Sequence, residues 1–140
     1  MFNPSRDEVR ELFFRAWRSY REGRPLAGLD ALALDVVLQH PEYHAALEDP
    51  EHTRDRDYVD ESNPFLHMSL HMALEEQLSI DQPPGIRSRW EALARRCGER
   101  HEAAHQALEC LAETVWRAQR DAKPPEAAAY LSCLERRART

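Results

Sequence analysis

Apolar positions recur along this chain with a helical period, and prolines and glycines divide the pattern into segments. Val9, Leu12, Phe13, Ala16, Trp17 and Tyr20 return every three or four residues until Gly23 interrupts them, as in an amphipathic helix. Asn3-Pro4 gives a start signal, a capping side chain followed by a residue that needs no backbone donor. Leu26, Leu29, Leu32, Ala33, Val36 and Val37 predict a second helix. Pro41 has no N–H to give, so a fresh short segment is expected from Pro41 to about Glu48. Residues 49–62 are acidic, proline-interrupted and weakly apolar. They read as an acidic loop, long for a compact domain, and such loops are often functional. Asn63-Pro64 repeats the start signal for a helix to about Ile80. Gln82-Pro83-Pro84-Gly85 breaks the pattern. A helix from Ile86 carries Trp90, Leu93 and Ala94, and Gly98 ends or interrupts it. Helical patterning then runs from Glu99 to about Ala122, breaks at Lys123-Pro124-Pro125, and resumes from Glu126 to Arg137. No stretch reads as a strand. The expectation is all-α: a single helical bundle of five to seven helical segments with a His/Glu-lined interior, filling residues 1–140 as one domain.

Composition sharpens this in three ways. The chain has 140 residues, 42% hydrophobic and 31% charged, enough apolar content for a core. A net charge of −6, with Arg far outnumbering Lys, gives no general basic face, so no nucleic-acid partner is expected. No apolar run approaches the roughly 18–20 residues of a membrane span, so no membrane partner is expected either. The opening residues, Met1 to Glu8, lack the basic and apolar regions of a signal peptide. Cys97, Cys110 and Cys133 are odd in number and widely spaced. They do not read as a disulfide framework. Reduced thiols in a cytoplasmic protein are the expectation, with Cys110 as core filler.

The seven histidines carry the chemistry. Six fall in three i, i+4 pairs, His40/His44, His67/His71 and His101/His105, where random placement gives roughly a third of one pair. The surrounding stretches read HPEYHAALE, HMSLHMALE and HEAAHQALE. All fit H-x-x-x-H-x-A-L-E, an internal repeat that also aligns Glu48, Glu75 and Glu109. On a helix, positions i, i+4 and i+8 drift by only about 40° per step. Each repeat therefore presents a His-His-Glu column one turn apart. Leu70, Leu74 and Leu78 flank the middle column, and Ala104, Leu108, Ala112 and Val115 the last, which turns the columns toward the interior.

Buried polar groups need partners, and a metal ion satisfies many at once. Neutral imidazole suits zinc, iron, copper and nickel, and added carboxylates shift the preference toward iron, manganese or zinc. The expected cofactor is a divalent transition metal, iron first, then zinc or manganese. Six histidines and three glutamates exceed one tetrahedral ion, so a non-haem dinuclear centre is expected, or one ion with glutamates orienting the imidazoles. The expected ligands are His67, His71, His101 and His105, then His44 and His40, then Glu75, Glu109 and Glu48. Pro41 interrupts the first pair, so His40 reads as a cap whose side chain points elsewhere. Vacant positions on the ion would admit oxygen, peroxide or another small-molecule ligand. A lone HxxxH pair is more often a surface or hydrogen-bonded core feature, or part of a pH sensor. The competing functional reading is a non-enzymatic helical adaptor or zinc-stapled interaction protein. Tyr43 reads as packing, or as a hydrogen-bond partner for a bound ligand. His52 reads as exposed, and Trp116 as a wall near the last column.

The stretches ALALDVVLQHPEYHAALEDP, NPFLHMSLHMALEEQLSIDQPPGIR and RHEAAHQALECLAE, with the AAYLSCLERR tail, resemble a bacterial family known as domain of unknown function 1841. The resemblance spans nearly the whole chain, and its HPEYH and NPFLHxSxH blocks are specific. It implies a cytoplasmic, helical bacterial protein and carries over no catalytic residue. More loosely, the histidine pattern resembles those of hemerythrin-like, ferritin-like and DinB-type bundles. It lacks the ferritin Glu-x-x-His and the unequal ligand spacing of hemerythrins, and fold-level analogy does not establish function.

Overall fold

The computed structural model describes residues 5–58 and 63–139. Among them the elements are α1 (Arg6–Arg21), α2 (Gly28–Leu38), a 3-10 turn (Pro41–Tyr43), α3 (His44–Glu48), α4 (Pro50–Thr53), α5 (Pro64–Ile80), α6 (Ile86–Cys97), α7 (Arg100–Asp121) and α8 (Ala127–Arg139). The chain is all-α. Eight α-helices slightly exceed the expected five to seven. The surplus is α4, one turn inside the expected loop, where Asp49 precedes Pro50 at the first helical position.

The chain divides into two compact units, Met1–Met72 and Ala73–Thr140, and the division falls within α5. In the first unit α1 packs on α2 and α3. Phe13, Ala16, Val37 and Met68 are fully buried there, with Leu12, Phe14, Val36 and Phe65 around them. The Asn3-Pro4 signal lies outside the described residues. Within them, Ser5 caps α1 through a reciprocal pair with Glu8. The Asn63 carboxamide accepts from the N–H groups of Phe65 and Leu66 at 3.0 and 3.1 Å. That is the expected cap, with Pro64 opening α5.

The acidic segment is anchored up to Tyr58, and residues 59–62 lie outside the described ones. Arg10 is buried at 3% exposure. Its Nη1 donates to the carbonyls of Arg54 and Arg56, both at 2.8 Å. The same guanidinium lies 4.8 Å from the centre of the Phe65 ring. Burial, then Arg6, lowers the Arg10 pKa, and the carbonyls replace the lost water. Thr53 Oγ1 donates to the carbonyls of Ala46 and Asp49.

In the second unit α6, α7 and α8 pack against one another. Gly98, in the left-handed region at φ 74°, ends α6. Glu99 then caps α7, accepting from the His101 and Glu102 N–H groups. The reading of Cys110 as an unpaired core residue is corrected. Packing of α7 on α8 brings Cys110 and Cys133 to 5.8 Å between Cα atoms, and they form a disulfide. Separation by 23 residues hid this pairing from any short-range cysteine pattern. Cys97 remains a thiol.

Candidate metal centre

The first unit gathers three histidines from two repeats. His40 ends the α2 connection with non-helical backbone, φ −129° and ψ 65°. It is fully buried. Its Nδ1 donates to the Val36 carbonyl at 2.7 Å. A carbonyl can only accept, so the proton sits on Nδ1 and the lone pair on Nε2. This is how proteins fix a ligating imidazole. His67 and His71 stand one turn apart on α5, with Nε2 atoms 3.2 Å apart. Ring centres lie 4.9 Å apart for His40–His67, 4.6 Å for His40–His71 and 4.8 Å for His67–His71. One nitrogen from each ring lies within 4.8 Å of the others.

Those distances can be tested against a real ion. Two imidazoles bound tetrahedrally at about 2.0–2.1 Å place their nitrogens about 3.3 Å apart. The His67–His71 separation already matches that bite. The His40 nitrogen lies within 4.8 Å of both, and a three-nitrogen face requires it to close toward about 3.3 Å. His71 is 5% exposed and His67 half-buried.

Tyr43 closes one side. Its ring stacks on His40 at 5.4 Å and 11°, and meets His67 edge-on at 6.1 Å. Burial, and then the Glu42 charge, raise its phenol pKa, so it stays a neutral hydrogen-bond donor at ordinary pH.

His44 and the three glutamates meet other partners. His44 stacks on Trp17 at 4.3 Å and its Nε2 donates to the Val37 carbonyl at 2.9 Å. The Pro41 turn is the cause, because a 3-10 turn holds three residues rather than 3.6 and sends positions 40 and 44 to different neighbours. The Glu48 carboxylate accepts from Trp17 Nε1 at 2.8 Å and meets Arg21 Nε at 3.0 Å. In the second unit Glu75 pairs with Arg100 at 2.6 Å and Glu109 with Arg137 at 2.6 Å. On α5 and α7, where the whole repeat is helical, about 80° of drift from the first histidine to the glutamate turns Glu75 and Glu109 toward these arginines. His101 and His105 stand one turn apart on α7, with ring centres at 4.2 Å and planes tilted by 60°.

Smaller expectations divide. His52 is exposed and bonded to Asp49. Trp116 is 58% exposed, with Arg120 over its ring. What sequence reasoning missed is the depth of His40, whose side chain turns inward rather than elsewhere. The signal was Pro41 itself, which forces a turn immediately after His40.

No curated protein and no solved structure matches the chain. One family model matches it over residues 5–136, and the chain therefore belongs to the family described as Domain of unknown function (DUF1841).

Proposed function

We propose that this protein binds a divalent transition-metal ion through His40, His67 and His71. The observation that carries the reading is the set of three imidazole nitrogens within 4.8 Å of one another, drawn from two elements, with the His40 tautomer set by the Val36 carbonyl. Three nitrogens without a carboxylate shift the preferred metal from iron toward zinc, with iron and manganese next. Within the first unit the donor set suits one ion. A bound ion would clamp the 3-10 turn to α5, so binding and local folding are coupled.

The test is metal content by mass spectrometry on untagged protein prepared without chelator, then reloaded with zinc, iron or manganese in turn. About one equivalent of zinc is expected at this three-nitrogen site. The His67→Ala/His71→Ala variant should fall to background while keeping its helical circular dichroism. Failure of the native chain to retain any of the three metals would overturn the reading. The third repeat carries the same histidine pair, and its contribution is read by the metal content of the His101→Ala/His105→Ala variant.

A further inference from the structure

The second unit holds a groove of about 540 Å³ between the C-terminal part of α7, the turn after it, and α8. Its volume is that of a small-molecule site. Cys133 lines it and Cys110 does not. Both cysteines are buried, Cys110 at 1% and Cys133 at 6% exposure, and of the two Cys133 is the one that lines the groove.

Charge adds a second observation. Two of the cations along the groove are engaged, Arg117 with Glu113 and Arg120 with Asp121. Lys123 and Arg136 also line it, and neither forms an ion pair among the described residues. Glu126 is the remaining carboxylate there. The lining is net positive in a chain whose net charge is −6. A basic concavity concentrates small anions, and cations beside a cysteine also stabilise its thiolate as a leaving or resting form.

We propose that this groove admits a small anionic thiol, of the thiol-carboxylate or thiol-sulfonate class, which opens the Cys110–Cys133 disulfide. The incoming thiolate attacks Cys133 Sγ and forms a new S–S bond. The Cys110–Cys133 bond breaks, and its electron pair leaves on Cys110, which takes a proton from water. A second thiolate then attacks the outer sulfur of the mixed disulfide and releases the Cys133 thiolate. Two small thiols become one small disulfide, and the protein gains two thiols. The result unties α7 from α8.

The experiment uses the oxidised full chain carrying Cys97→Ser, so that one disulfide is the only redox centre. Reduction rates are measured with mercaptoethanesulfonate and with neutral mercaptoethanol, and their ratio is compared with that of the same chain bearing Lys123→Glu and Arg136→Glu. Both substituted residues are exposed, and general loosening would speed both thiols together and leave the ratio alone. The anionic-to-neutral ratio should fall by about threefold or more in the variant, as expected for reversing charge near a screened site. High salt should lower the native ratio in the same direction. Trapped intermediates should carry the thiol on Cys133. An unchanged ratio, or an adduct on Cys110, would overturn the proposal.

Discussion

His40 and His44 stand four residues apart in sequence and meet different neighbours. His40 Nδ1 donates to the Val36 carbonyl and the ring joins His67 and His71. His44 donates to the next carbonyl, that of Val37, and its ring lies on Trp17. The two imidazoles should therefore separate by assay. His44→Ala removes a ring stack and a part-buried hydrogen bond, a loss of about 1–3 kcal/mol of stability, and should leave zinc uptake as it was. His40→Ala removes a ligand and should lower zinc affinity by at least tenfold, with a further loss of stability from the vacated buried volume. Equilibrium dialysis paired with thermal melts reads both quantities. Zinc loss in His44→Ala, with uptake retained in His40→Ala, would reverse the assignment.

Helix boundaries were the most legible elements, because caps are local chemistry. Asn63-Pro64 announces α5, and Gly98 followed by Glu99 ends one helix and begins the next. The periodicity likewise placed His67 and His71 on one face. What the sequence concealed are contacts closed only by packing. The Arg10 guanidinium reaches carbonyls 44 and 46 residues away, and Cys110 meets Cys133 across two helices. Neither leaves a periodic trace. The repeat aligns the three glutamates in sequence, and packing gives each its own partner, Glu48 meeting Trp17 and Arg21. The Glu99 cap makes a prediction about pH. Bonds from the His101 N–H, and then the Glu102 N–H, lower its carboxyl pKa below the ordinary glutamate value. The folded state thus binds that proton less readily than the unfolded chain. The stabilisation is complete above the unfolded value of about 4.3 and is lost as pH falls through the lower folded value. Glu99→Ala should lower the melting temperature at neutral pH, and the gap to the native chain should close on acidification. A gap that stays constant to low pH would show that charge plays no part in the cap.

Each half of the molecule carries its own candidate cross-link. Units of about seventy residues have little core to spare, and small domains commonly need a metal or a disulfide. The Met1–Met72 unit gathers His40, His67 and His71, and the Ala73–Thr140 unit ties α7 to α8 through Cys110–Cys133. Their energies are of similar order. Zinc held at a hundred times its dissociation constant would stabilise the folded form by about 2.7 kcal/mol. A disulfide closing a loop of this length removes unfolded-state entropy equivalent to about 3 kcal/mol. Hydrogen exchange read by mass spectrometry separates the two devices. Chelation should speed exchange in peptides covering the Pro41–Tyr43 turn and the start of α5, where the imidazoles sit. Reduction should speed it in α7 and α8, whose amides would open more readily once the cross-link is gone. A chelator that changes nothing near His40, His67 and His71 would mean that these histidines stabilise the unit by stacking and hydrogen bonds alone. A reductant that changes nothing in α7 and α8 would mean that helix packing, not the disulfide, holds that pair together.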